Sequence, residues 1–280
     1  EVKTGSSSSA AASMDRNTAK KAADMNYRDN YNYGEIMKRY LIIFSYDGTN
    51  FNGYQKQEGY RTVQECIENA LKYINDNTDT KITSSGRTDK GVHALKQCAH
   101  FDLKVNITEY KLKCALNSNL PDDIHIIDAK EVDNNFHARY MVKEKEYQYI
   151  LNTKEYNPLE RNYVFQYNKE LDIKLMQEAI KFFLGEHSFK SFTPTKDAKE
   201  NCVRTINYVN IEDNNGKIIF TFRGTGFIKY QIRNMVGYLI KVGEHKKSKD
   251  DIESILKKED RRLASITAHP EGLYLTNVLY

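Results

Sequence analysis

From residue 37 onward the chain switches repeatedly between two hydrophobic periods, and the switches mark out its elements. Residues 40–46 are a near-continuous apolar run stopped by Asp47-Gly48, the pattern of a buried strand. Thr62 then precedes Val63, Ile67, Ala70, Leu71 and Ile74, whose helical spacing predicts a helix capped at Thr62. Strands are predicted over 97–103 and 124–129, with a short helix over 109–116 between them. A second series begins near residue 146 with an aromatic, alternating strand at 147–151. Asp172 opens a helix through Leu175, Met176, Ala179, Ile180 and Phe183, ended by Gly185 at a left-handed stop. Strands at 205–211 and 217–223 flank the turn Asn214-Asn215-Gly216. Residues 227–242 predict a strong helix with Ile228, Ile232, Met235, Leu239 and Val242 on its apolar side. This alternation predicts an α/β or α+β protein of two similar halves, 37–140 and 141–280.

Residues 1–36 do not fit the pattern. Val2 and Ile36 are their only members of the Leu/Ile/Val/Phe set, and a serine run occupies 6–9. Such a segment cannot bury enough apolar surface to offset its ordering entropy, which predicts a disordered tail or an extraneous appended segment.

Composition narrows the class. A length of 280 residues suits one large domain or two small ones. No apolar run approaches the ~20 residues that span a bilayer, and the first residues lack the layout of a secretory signal. The four cysteines, Cys66, Cys98, Cys114 and Cys202, form no C-x-x-C pair, so neither a disulfide framework nor a cysteine zinc site is indicated. A reduced, cytoplasmic setting is the simplest fit. The net charge of +4 does not by itself imply a nucleic-acid partner.

The densest chemistry lies in Ser85-Gly86-Arg87-Thr88-Asp89-Lys90-Gly91-Val92-His93. Two glycines around a charged trio suit a tight loop that presents side chains outward. An aspartate there beside an arginine is expected to keep a depressed pKa, as a carboxylate nucleophile requires. A solvated turn has the same composition. Asp89 and His93, with His100 and Asp102 downstream, also admit a metal site, although Gly91 argues against one helical face. Lys229, Arg233, Gly237 and Lys241 recur every fourth residue and predict a basic stripe, with Gly237 leaving room for a bulky partner. Tyr147 suits core packing or a base-stacking platform, and Arg139 suits a phosphate contact or a structural ion pair.

Together these segments resemble the TruA-type tRNA pseudouridine synthase family. The resemblance runs through Tyr46-Asp-Gly-Thr49, the Gly86–Ala94 loop, Asn117 to Pro121, Phe136-His-Ala-Arg139 and Tyr147. It resumes at Gly226-Phe227, Arg233-Asn-Met-Val-Gly237 and Glu271-Gly-Leu-Tyr-Leu275, in order from about residue 40 to 280. It implies a pseudouridine synthase fold: two ferredoxin-like halves sharing a mixed sheet, with the active cleft between them. It implies an enzyme that isomerises uridine to pseudouridine at positions 38–40 of the tRNA anticodon arm, needing no cofactor and no metal and working as a homodimer. By the same resemblance Asp89 is the nucleophile, Arg233 its partner, Arg87 a loop and base-displacement residue, and Tyr147 a stacking ring whose hydroxyl aids deprotonation. Lys90, His93, Arg139, Lys229 and Leu273 are expected to contact substrate. Lys90, where the family commonly has Ala, leaves open related synthases acting on other tRNA or RNA uridines. A non-catalytic RNA-binding module is the remaining alternative.

Overall fold

Tyr40, Ile42, Phe44 and Tyr46 alternate onto one face of the first strand and are buried there, as the apolar run requires. The computed structural model describes residues 37–197 and 201–280, so the expectation for 1–36 lies outside the described residues. Among these, the first half comprises strands β1 (Lys38–Tyr46), β2 (Thr83–Ser84), β3 (His93–Leu103) and β4 (Ile124–Val132), with helices α1 (Val63–Ile74) and α2 (Glu109–Asn119). The second contains β5 (Glu144–Asn152), β6 (Phe165–Gln166), β7 (Gly185–Ser188), β8 (Val203–Asn214), β9 (Lys217–Gly224) and β10 (Leu273–Leu279). Its helices are α3 (Ile173–Ala179), α4 (Gln231–Gly243) and α5 (Asp251–Lys258).

All ten strands belong to one mixed sheet, ordered β4-β1-β3-β10-β5-β9-β8-β7, with β2 on β3 and β6 on β5. Each half is ferredoxin-like. In the first, β4-β1-β3-β2 is antiparallel throughout; in the second, β10-β5-β9-β8 repeats that order. The seam depends on the brevity of β2. That strand pairs with β3 only at His100 and Ala99, leaving His93 and Ala94 to pair in parallel with Tyr274 and Leu275 of β10. The last strand therefore returns to the middle of the sheet, and a single buried cluster runs from Tyr40 to Val278.

Several predicted boundaries move. Thr62 precedes α1, but its hydroxyl makes no cap bond; the carbonyls of Gly53 and Tyr54 take the N–H groups of Val63 and Gln64 at 3.4 and 2.9 Å instead. Asp172 does cap its helix, accepting from the Leu175 N–H at 3.0 Å. The helix predicted from 227 starts at Gln231, because Tyr230 sits in the left-handed region at φ 60 and breaks the chain's course. The basic stripe is therefore not continuous. Lys229 lies before the helix, and Gly237 is packed under this chain's own Ile266, whose carbonyl oxygen lies 2.9 Å from the position of a Cβ.

Candidate active site

In the second half the β8–β9 hairpin closes through Asn215 and Gly216, both at positive φ, the tight turn such a pair favours. The equivalent hairpin of the first half, β2 to β3, is opened into the loop of residues 85–92. This loop is anchored at every step. The Ser85 N–H donates to the Cys98 carbonyl at 2.8 Å, and the Ser85 hydroxyl to Gln97 Oε1 at 2.6 Å. The Gln97 amide donates in turn to the Gly86 carbonyl at 3.1 Å. The Thr88 and Tyr46 hydroxyls are bonded at 2.8 Å, and the Thr88 carbonyl accepts from the Tyr54 N–H at 3.1 Å. Gly48 and Gly53 make this docking possible: a Cβ on Gly48 would lie 2.1 Å from the Val92 carbonyl oxygen, and Gly53 adopts φ +90 against Thr88.

The anchoring turns Asp89 toward α4, where its Oδ2 lies 3.5 Å from Arg233 Nη1. Both side chains are nearly enclosed, at 17% and 12% exposure. Arg233 is itself held by donation from Nε to the Ala268 carbonyl at 2.8 Å and by the Tyr230 ring, 4.8 Å from its guanidinium carbon. The depressed pKa expected for Asp89 is not found. Burial lifts its carboxyl above the ordinary value of 3.8, and Arg233 and Lys229 pull it back only in part.

Asp89, Arg233, Tyr147 and Leu273 line one cleft of about 860 Å³, between the two halves. The volume falls within the range of roughly 300–1,000 Å³ typical of small-molecule pockets. The Tyr147 ring is edge-on to Phe227 at 5.3 Å, and its hydroxyl is driven upward in pKa by burial first, then by Tyr46 and Asp89. Arg87, Lys90 and Arg139 are exposed on the same cleft, without an ion pair recorded among the described residues. Lys229 also lines it, bound to Asp197 at 3.1 Å.

His93 is not brought to the cleft. It is 2% exposed, accepts from the Gly48 N–H at Nδ1 (3.0 Å), reaches the Asn162 carbonyl through Nε2 (2.9 Å) and stacks on Tyr274. With Nδ1 occupied as an acceptor, the Asp47 carboxylate 3.3 Å away is a neighbour and not an ion-pair partner, and burial holds the imidazole neutral. His93 is thus a core and seam residue, contrary to the substrate contact expected of it. Of the residues that admitted a metal site, His100 has its Nδ1 taken by the Ala138 N–H, and no group of three or more potential ligands occurs among the described residues.

Other cleft residues carried no expectation. Lys145 lies two positions before Tyr147 on the same face of β5, which strand alternation alone would have shown. Asp197, Arg204 and Gln231 reach the cleft only through tertiary folding.

Comparison with known proteins bears on the family of the whole chain. The family model described as tRNA pseudouridine synthase matches residues 42–141 and 179–280. A Streptococcus mutans protein named tRNA pseudouridine synthase A is 44% identical over 247 residues, covering 87% of this chain and 99% of that protein. One of the same name from Pseudothermotoga lettingae is 45% identical over 241 residues, covering 85% and 98%. Among the described residues, no helix is long and apolar enough to cross a membrane.

Proposed function

The chain belongs to the tRNA pseudouridine synthase family, and we propose that it isomerises uridine to pseudouridine at positions 38–40 of the tRNA anticodon arm, with Asp89 as nucleophile. The observation that carries this reading is the enclosed Asp89–Arg233 pair in a cleft that also holds Tyr147 and Leu273. The reaction breaks the N1–C1′ bond, turns the uracil within the cleft and forms a C5–C1′ bond. N1 gains a proton, the C5 hydrogen leaves to solvent, and no electron is gained or lost. A carboxylate able to form and release one covalent bond is sufficient. Arg233 supplies the charge that favours ionised Asp89 against its burial. Tyr147 presents a ring to the base and a hydroxyl toward the final deprotonation, and Leu273 closes the apolar side. A stacked base must leave its helix first, at a few kcal/mol, and exposed Arg87 assists that displacement. Lys90, Arg139 and Lys229 border the cleft as contacts for the RNA. We also propose a homodimer, to be read from the mass in solution by light scattering.

The test is tritium release from tRNA transcripts carrying 5-tritiated uridine, with EDTA present and Asp89→Asn assayed alongside. Wild type releases tritium. Asp89→Asn releases none, yet binds tRNA with nearly unchanged affinity, because the carboxylate does chemistry and not anchoring. Mapping of the product gives the positions. No release by wild type from any tRNA would overturn the catalytic reading, and a large binding loss in Asp89→Asn would remove Asp89 from the nucleophile's role.

A further inference from the structure

The cations of the cleft fall into two groups. Arg233 and Lys229 have carboxylates at 3.5 and 3.1 Å. Among the described residues Arg87 and Lys90, on the Asp89 loop, have none recorded, and neither do Lys145, Arg139 and Arg204, although each lines the same cleft. The last three come from three separate segments: the β4–β5 connection, β5 itself and the start of β8.

Lys145 is the most constrained of the three. Its ammonium donates to the Ser85 carbonyl at 2.5 Å, at the foot of the loop that carries Asp89. It also fills the space that a side chain on Gly86 would need, lying 2.6 Å from the position of that Cβ. Among the described residues, Arg204 donates to the backbone carbonyls of Asn201 and Val203 at 3.5 and 2.5 Å. The neighbouring Cys98 cannot serve as counter-ion, because burial pushes its thiol up to about 12 and keeps it neutral. Burial, then Arg139, then Arg204 bring the Lys145 ammonium down to about 8. Arg139 and Arg204 thus lie near a half-buried ammonium that, among the described residues, donates to a carbonyl. Charges taken out of water are normally paired.

We propose that Lys145, Arg139 and Arg204 form a phosphodiester-binding site, which seats one backbone phosphate of the RNA beside the foot of the Asp89 loop. The site rests on the reading of RNA as substrate. It adds a fixed point for the strand: one phosphate oxygen meets Lys145, which is bonded to the loop through Ser85, and the two guanidiniums close over the others. Guanidinium forks suit phosphate oxygens, while the ammonium acts as a point charge. Binding of the anion supplies a counter-charge that the described residues do not place on the cluster.

The test measures tRNA affinity over a series of salt concentrations for wild type, Lys145→Met, Arg139→Met, Arg204→Met and Lys257→Met. The last is an exposed control on α5, away from the cleft. Each cleft variant is expected to make the slope of log affinity against log salt shallower by roughly one, the signature of one lost phosphate contact. The Lys257→Met slope should match wild type. Unchanged slopes in Arg139→Met and Arg204→Met overturn the site, as does weaker binding without a change in slope, which marks a merely structural loss. Should Lys145→Met fail to fold by circular dichroism, the two arginine variants decide. Inorganic phosphate at millimolar concentration serves as a competitor: displacement of tRNA from wild type but not from Arg204→Met supports the site, and equal displacement from both counts against it. Tritium release on the same preparations separates the two readings. Release with unchanged slopes removes the phosphate site alone; shallower slopes without release by wild type remove the isomerase alone.

Discussion

Asp89 is held between two opposed effects, and their balance sets where its carboxyl ionises. Burial raises its pKa more than Arg233 and Lys229 lower it, so the carboxyl takes up a proton at a higher pH than an ordinary aspartate. The proposed nucleophile acts in its ionised form, so kcat/KM should fall on acidification with an acid limb above 3.8, and a pH–rate profile of the free enzyme reads it directly. An acid limb at or below that value would mean that the attractive charges prevail. In the proposed mechanism Tyr147 divides its tasks between ring and hydroxyl. Tyr147→Phe keeps the ring and should leave tRNA binding near wild type while kcat drops roughly 10²–10⁴-fold, the range for a lost general acid or base. Equal kcat in single-turnover assays would take the hydroxyl out of the reaction. The loop's composition identified Asp89 as a candidate, but not its raised pKa. That depends on burial against α4, whose Arg233 is held by the Ala268 carbonyl, and no local pattern in residues 85–92 encodes either.

At the scale of elements, α4 carries the site because its buried face is keyed to the segment at 261–268. Asn234 donates to the Phe192 carbonyl at 2.6 Å and accepts from Arg261 and from the Thr267 hydroxyl at 3.0 and 2.6 Å. Asn234→Ala strands the buried Phe192 carbonyl, at about 1–3 kcal/mol, and removes two part-buried bonds, so thermal unfolding should shift down by several degrees. Gly237→Ala sets two effects against each other. Alanine favours a helix interior by about 1 kcal/mol, but the added methyl would press on the backbone carbonyl of Ile266, which cannot swing aside. The clash should prevail and lower the melting temperature; a rise would show that the 261–268 segment yields. Helical periodicity located α4 and its apolar side correctly, since Ile232, Met235, Leu239 and Val242 are buried. It misjudged the start because a left-handed tyrosine leaves no hydrophobic signature. It misassigned Gly237 because spacing cannot say whether the close partner belongs to another molecule or to the same chain.

Across the whole molecule, the two halves proposed from the sequence are ferredoxin-like units, but their boundary is not a simple cut in the chain. Residues 273–279 complete the second unit and at the same time bind the first through His93 and Ala94. One sheet and one core should therefore unfold together. Denaturation followed by far-UV circular dichroism and by tyrosine fluorescence is expected to give coincident transitions. Two separated transitions would show that the seam is weaker than the halves. The strand order could not be read from the pattern: β2, β6 and β7 are too short to show a period, and β10 pairs with strands far from it in sequence.

That remote pairing bears on the time course of synthesis. A nascent chain that has reached Pro270 already contains Asp89, Tyr147 and Arg233, yet nothing covers the β3 edge at His93 and Ala94, and the β5 edge that will receive β10 is also open. Open strand edges invite pairing with other chains. Leu273, the residue that closes the apolar side of the cleft, arrives with the same strand that shields both edges. Protection from aggregation and competence for uridine thus come late and together, so chains stalled before that point should be inactive and the first to be captured by a chaperone.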